Sequence, residues 1–213
     1  MSRRRARALI LVLPGLLLAG CLTGKRPHFE DEPFPAGSLT GDANIDAVLT
    51  KLDAVTKGPA TASYDVLTKY GSVTHPALVV LDKGKRSILV GNVHYIQTEA
   101  LAKTCTVDLS APCSDGFLAA RISDTLATVE FYAAGTATRL RRDNQAKLGP
   151  SVAHADVFAG IPATCVDVPL SGGTAIYCVL NNGMLAKLDD GDLLITLTTY
   201  SNTADPSQFI PPT

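Results

Sequence analysis

The sequence has no tryptophan in its 213 residues, only 6% aromatic side chains and two methionines. Ala, Val, Leu, Ile and Thr must therefore fill most of any core. An excess of basic charge is also missing, with 19 Lys+Arg against 20 Asp+Glu. That excludes the electrostatic footprint of a nucleic-acid binder. No Gly-x-Ser-x-Gly, Ser-x-x-Lys, His-Glu-x-x-His or Gly-x-Gly-x-x-Gly occurs, so the usual signatures of hydrolases, metallopeptidases and dinucleotide enzymes are absent. The histidines, His28, His75, His94 and His154, are not at ligand spacing from one another. His154 and Asp156 lie two apart, which by itself reads as a loop pair beside a strand start. His28 with Glu30-Asp31-Glu32 reads as solvated linker. The sequence points away from an enzyme and to no cofactor and no metal.

What is present begins at the N-terminus. Arg3, Arg4, Arg5 and Arg7 precede an apolar stretch from Ala8 to Gly20. A stretch this short suits a signal peptide better than a membrane span, which needs about 20 apolar residues. It ends in Leu18-Ala19-Gly20-Cys21, which resembles the lipobox of bacterial lipoproteins. Cleavage is expected after residue 20, leaving Cys21 as the lipidated first residue at the outer face of the cell membrane. Removing four of the 19 basic residues leaves 15 against 20 acidic ones, a net of −5. Attachment is thus expected through acyl chains rather than a basic patch.

Four further cysteines, Cys105, Cys113, Cys165 and Cys178, form an even set in a chain expected to be exported, which reads as two disulfides. The absence of Cys-x-x-Cys argues against zinc. Cys105 and Cys113 bound a short excursion whose ends can meet. A hairpin across Ser171-Gly172-Gly173 brings Cys165 nearly opposite Cys178, within disulfide reach. The expected pairs are Cys105–Cys113 and Cys165–Cys178.

Residues 21–42 are rich in Gly, Pro and charge, and read as a flexible linker. Ile45, Val48, Leu49, Leu52 and Val55 recur at helical spacing behind Asp42 or Asn44 as N-cap. The period then changes to two, predicting strands around Tyr64–Tyr70, Ala77–Leu81, Ser87–Val90 and Val93–Thr98. Short helices are expected behind Ser114 (Phe117, Leu118, Ile122) and Asp124 (Leu126, Val129, Tyr132), then a polar helix over Thr138–Leu148. Arg139, Arg141 and Arg142 read as a solvated face of that helix. Hairpins follow at Thr164–Leu180 and Met184–Tyr200, and residues 204–213 read as a tail. The strands after residue 164 are apolar on both faces, so something must cover the second face.

This order of parts resembles the LolA/LolB and LprG/LppX group of bacterial lipoproteins and lipoprotein carriers. The likeness covers most of residues 43–203 as architecture and includes Gly160-Ile161-Pro162-Ala163-Thr164-Cys165 leading into two hairpins. It implies an α+β fold in which a strongly curved antiparallel sheet, a half-barrel, wraps a few helices. It also implies an apolar cavity, which the patterning places near Leu49, Leu52, Val66, Val168, Ile195 and Leu197. The expected role is a membrane-anchored lipoprotein that binds or carries an apolar, acylated ligand. The alternative is an interaction lipoprotein with a packed core that binds another envelope protein.

Overall fold

The computed structural model describes residues 34–107, 113–121 and 123–212. The expected signal peptide, Cys21 and most of the expected linker lie outside the described residues, as does Ile122.

Eleven strands form one antiparallel sheet. The first meander comprises β1 (Ala60–Thr68), β2 (Val73–Asp82), β3 (Lys85–Val90), β4 (Val93–Gln97), β5 (Ala102–Thr106) and β6 (Cys113–Asp115). The second comprises β7 (Val152–Phe158), β8 (Ile161–Leu170), β9 (Gly173–Leu180), β10 (Leu185–Asp189) and β11 (Leu193–Ser201). The two meanders join where β1 pairs with β11, leaving β6 and β7 as the sheet's edges. Four inter-strand steps would put β7 about 19 Å from β11 in a flat sheet, yet Cα atoms of the two come within 8 Å. The sheet is therefore strongly curved and open, as the resemblance implies.

Register explains which residues are buried. Opposed residues share a face, so Val166, Tyr177, Leu188, Ile195 and Val66 form one continuous inner row, and all five are buried. The adjacent outer row runs His154, Cys165, Cys178, Lys187, Thr196 and Asp65. It is polar apart from a Cys165–Cys178 disulfide whose Cα atoms are 4.0 Å apart. A second disulfide joins Cys105 to Cys113, which are opposed across β5 and β6.

Helix α1 (Ala43–Asp53) buries Ile45, Val48, Leu49 and Leu52, with the Asp42 carboxylate accepting from the Asn44 and Ile45 amides. The helix stops before Gly58-Pro59 because the chain is captured earlier. The Thr56 amide donates to the Asn182 carbonyl. The β9–β10 turn fits so closely there that a Cβ on Gly183 would lie 2.2 Å from the Lys51 carbonyl oxygen. Helix α2 (Ala134–Ala146) packs on α1 and β8.

Residues 117–121 and 123–133 form turns and irregular chain rather than the two short helices expected there. Their polar groups are committed to the first meander instead of to helical bonds. The Arg121 carbonyl accepts from the Tyr95 hydroxyl, the Thr125 carbonyl accepts from Thr68 Oγ1, and the Leu118 amide donates to Thr104 Oγ1. Asp124, expected as a helix cap, accepts from the Asn92 amide across the gap. Sequence patterning also passes over β5 to β7, and His154 lies within β7 rather than in a loop.

The boundaries of the domain shift at both ends. Residues 34–42, expected in the linker, are held against the helices. The Gly37 amide donates to Asp53, the Ser38 carbonyl accepts from Arg141, and Thr40 donates to Asp46. The expected tail also packs. A 3-10 turn at Pro206–Phe209 lies against β3, and Phe209 is buried. Val80 and Ile96 are fully buried but lie outside the main core cluster, on the outer face that this segment covers. The covering of a second sheet face is thus supplied, in the first meander, by the returning chain.

Candidate functional site

The arginine triplet of α2 does not form a solvated face. Arg141 is 3% exposed and pairs with Asp53 of α1, while Arg139 pairs with Asp190 in the β10–β11 turn. Arg142 alone is mostly exposed, 3.4 Å from Asp143. At 100° per residue, positions 139, 141 and 142 point in three directions, so each meets a different neighbour. Asp143, on the buried side, accepts a hydrogen bond from the Tyr177 hydroxyl. Burial first, and then the adjacent carboxylate, push the Tyr177 phenol far above its ordinary range.

These pairs set α2 at a fixed height over β10 and β11, and a cavity of about 460 Å³ remains beneath its N-terminal half. Leu188, Leu193 and Ile195 of the sheet line it from below, and Leu126, Ala127 and Phe131 line it from the side. Gly135, Thr136, Thr138, Arg139 and Arg142 of α2 form the roof, and Phe34 and Thr128 also line it. Gly135 is required by the close approach of residues 128–130, since a Cβ there would lie 2.9 Å from Thr128 Oγ1 and 3.0 Å from the Glu130 carbonyl oxygen. The Thr136 hydroxyl is already used, donating to the Phe131 carbonyl at 2.5 Å. The cavity therefore offers an apolar floor, with Arg142 as the exposed cation at its rim. Its volume falls in the usual range for small-molecule sites, about 300–1,000 Å³.

The six residues expected around a cavity are divided by the structure. Ile195 lines it. Leu49, Leu52, Val66, Val168 and Leu197 do not line it, although they share with Ile195 the same buried core cluster. They lie where the α1 stripe and the strand faces interlock. The cavity opens further along, where α2 meets the irregular segment 126–131. Phe34, Leu126, Phe131 and the α2 residues were not expected at a site. Phe34 and Phe131 carry the one available signal, a large apolar side chain in an otherwise polar or aperiodic stretch.

Among the described residues, His154, Cys165 and Cys178 place potential metal-ligating atoms within 4.8 Å of one another. Both sulfurs are committed to the disulfide, so no thiolate is available there. His154 instead faces Asp167, with Nδ1 3.5 Å from Oδ1. It makes no close pair with Asp156, whose carboxylate accepts from the Val157 amide at 2.7 Å.

No protein-family model matches the chain, and no curated protein matches it in sequence. Among solved structures, a crystal structure of MucB is similar with a TM-score of 0.48 and 12% identity, over 81% of this chain and 64% of that one. A crystal structure of MucB in complex with MucA(peri) gives 0.44 and 10%, over 79% and 59%. The chain thus spans less than two thirds of either MucB chain's length. A crystal structure of LprF from Mycobacterium bovis gives 0.35 and 10%, over 72% of this chain and 92% of that one.

Proposed function

We propose that this protein is an exported binding protein, tethered to the outer face of the cell membrane by a lipid on Cys21, that holds an apolar, acylated ligand beneath α2. The observation that carries the reading is the 460 Å³ cavity with Leu188, Leu193, Ile195 and Phe131 in its walls. An apolar chain placed there leaves contact with water without displacing packed side chains, and each buried methylene contributes about 0.8 kcal/mol. Arg142 at the rim suits a polar or anionic end. The lipobox-like Leu18-Ala19-Gly20-Cys21 and the two disulfides support export.

The test compares two enlargements. Leu193→Phe, in the cavity wall, is expected to destabilise the protein by less than about 1 kcal/mol while abolishing binding of a fluorescent fatty-acid probe. Leu49→Phe, in the closed core, is expected to cost about 1–3 kcal/mol from overpacking and to leave probe binding in the folded fraction intact. Equal costs at the two positions, or no probe binding by the unaltered protein, would overturn the ligand reading. Cys21→Ser is expected to abolish metabolic labelling with a fatty acid, and labelling that persists would overturn the anchor.

A further inference from the structure

The two sheet edges are guarded very differently. Strand β6 is three residues long and is tied to β5 by Cys105–Cys113. Strand β7 has seven residues, Val152–Phe158, and positions 152–157 are all exposed. Val152 and Val157 are 57% and 60% exposed. Natural edge strands are usually blunted by lysine, proline or a bulge. None of these occurs in β7, whose register with β8 runs without a shift.

The direction of its free backbone groups follows from the ladder. In an antiparallel pair, alternate residues turn both N–H and C=O toward the partner strand. Val157 lies opposite Pro162, which has no N–H, and the Val157 amide donates instead to its neighbour Asp156. Val157 therefore points away from β8. By alternation, Ala155 and Ala153 do too.

We propose that β7 is a self-pairing edge through which two copies of this chain form an antiparallel dimer about a two-fold axis at Ala155. In that register the outward residues meet as Ala155–Ala155, Ala153–Val157 and Val157–Ala153. Each pair exchanges two backbone hydrogen bonds once the Val157 amide turns from the Asp156 carboxylate to the Ala153 carbonyl of the second copy, which frees that carboxylate to face His154. The side chains agree with the backbone. His154 falls opposite Asp156 of the second copy, on one face and twice by symmetry. Val152 falls opposite Phe158, apolar against apolar. Moving the axis by one residue sets His154 against His154 or Asp156 against Asp156, like on like, and moving it by two also destroys the match. Centred on Ala153 it sets His154 against Val152 and runs into Pro150; centred on Val157 it sets Asp156 against Phe158 and His154 against Gly160. One register thus satisfies hydrogen bonding, charge and length together, and the occupant it selects is a second copy of this strand. His154 keeps Asp167 on its own chain beside it, so the dimer places each imidazole between two carboxylates. The paired strands are smaller than a standard interface of about 1,600 Å², so the dimer dissociates on dilution.

The test is oxidative cross-linking of the full chain in the membranes of expressing cells. Ala155→Cys, on the axis, is expected to give a band at twice the monomer mass without reductant, which collapses to the monomer band on reduction. Ala153→Cys and Val157→Cys singly are expected to cross-link no more than Tyr70→Cys, an exposed control position, while the Ala153→Cys/Val157→Cys pair restores the dimer band. In the Ala155→Cys background, His154→Asp sets like charges opposite each other and is expected to lower the dimer fraction roughly fivefold. Asp156→His added to it restores the pair in reverse and recovers the dimer. Cross-linking at 155 no greater than at 70, a product of any other mass, or charge reversal without recovery would each overturn the proposal.

Discussion

The two meanders that meet between β1 and β11 are roofed in different ways. Over the second lie α1 and α2, which contact β7, β8 and β9 and are clamped to each other by Arg141 and Asp53. Over the first lies segment 117–133, held by separate hydrogen bonds to Tyr95, Thr104 and Thr68 and by edge-on packing of Phe131 on Tyr64. A helix satisfies its own backbone and needs only an apolar stripe to dock. An irregular roof has to find a partner in the sheet for each buried polar group. The cavity lies at the junction of the two roofs, with Leu126–Phe131 on one side and Gly135–Arg142 on the other. It is left where two kinds of packing meet without interlocking.

The largest test of this difference is Asp53→Ala. Among the described residues it leaves the buried Arg141 guanidinium with only the Ser38 carbonyl as partner, and breaking a buried pair in this way costs about 3–5 kcal/mol. Chemical denaturation should show the loss as a shift of the whole transition, because the helical roof unfolds as one body. Tyr95→Phe removes one hydrogen bond from the irregular roof and is expected to cost about 0.5–1.5 kcal/mol. Amide exchange should rise locally in residues 117–125 while α1 and α2 stay protected. If Tyr95→Phe opened the helices as well, the two roofs would be one unit and the contrast would fail.

The smallest effect is a difference in response to acid. Beneath the tail-covered face of the first meander, burial holds the His94 imidazole below its ordinary pKa of 6.5, and its Nε2 is 2.7 Å from Ser87 Oγ. The unfolded chain takes up a proton there that the folded chain resists, so stability falls as pH drops below about 6.5. In the second meander's roof, burial opposes ionisation of Asp42, but bonds from Lys147, Ser151 and the Ile45 amide prevail and hold its carboxyl at about 2. That contribution is complete above about pH 4 and is lost only as pH falls from there toward 2. Between pH 7 and pH 5 amide protection factors, which remove the intrinsic slowing of exchange by acid, should therefore fall first in β3–β5, and His94→Gln should flatten the change. Equal loosening around α1 over the same range would contradict the assignment.

The regular parts of this molecule are legible in the sequence because burial on one side imposes a period. The stripe from Ile45 to Leu52 and the alternation of Tyr64 and Val66 can be read directly, and the register of β8 with β9 follows from the turn that brings Cys165 opposite Cys178. The irregular roof has no period. Phe117, Leu126 and Phe131 are spaced by the positions of tyrosines and threonines on the sheet, and Leu126 even adopts φ 61°, outside any helix. β7 escaped for the opposite reason, since a strand exposed on both faces at an edge has no buried side to mark it. The cavity needed both facts together. Of its wall, only Leu193 and Ile195 belong to a strand pattern that the sequence made visible as a pocket surface.

The pairing of β1 with β11 has a consequence in time. Every other neighbouring pair in the sheet joins strands adjacent in sequence, and hairpins of that kind close in about 1–10 μs. Thr61–Thr68 must instead find Leu193–Ser201, more than a hundred residues away, at the greater entropy of closing a long loop. Until β11 arrives, β1 is an open edge in what becomes the middle of the sheet, and its buried face of Ala60, Ala62, Tyr64 and Val66 is available to any other strand. The rate of folding is therefore set at the seam rather than at the turns, and the interval before the seam closes is when the chain is most exposed to mispairing.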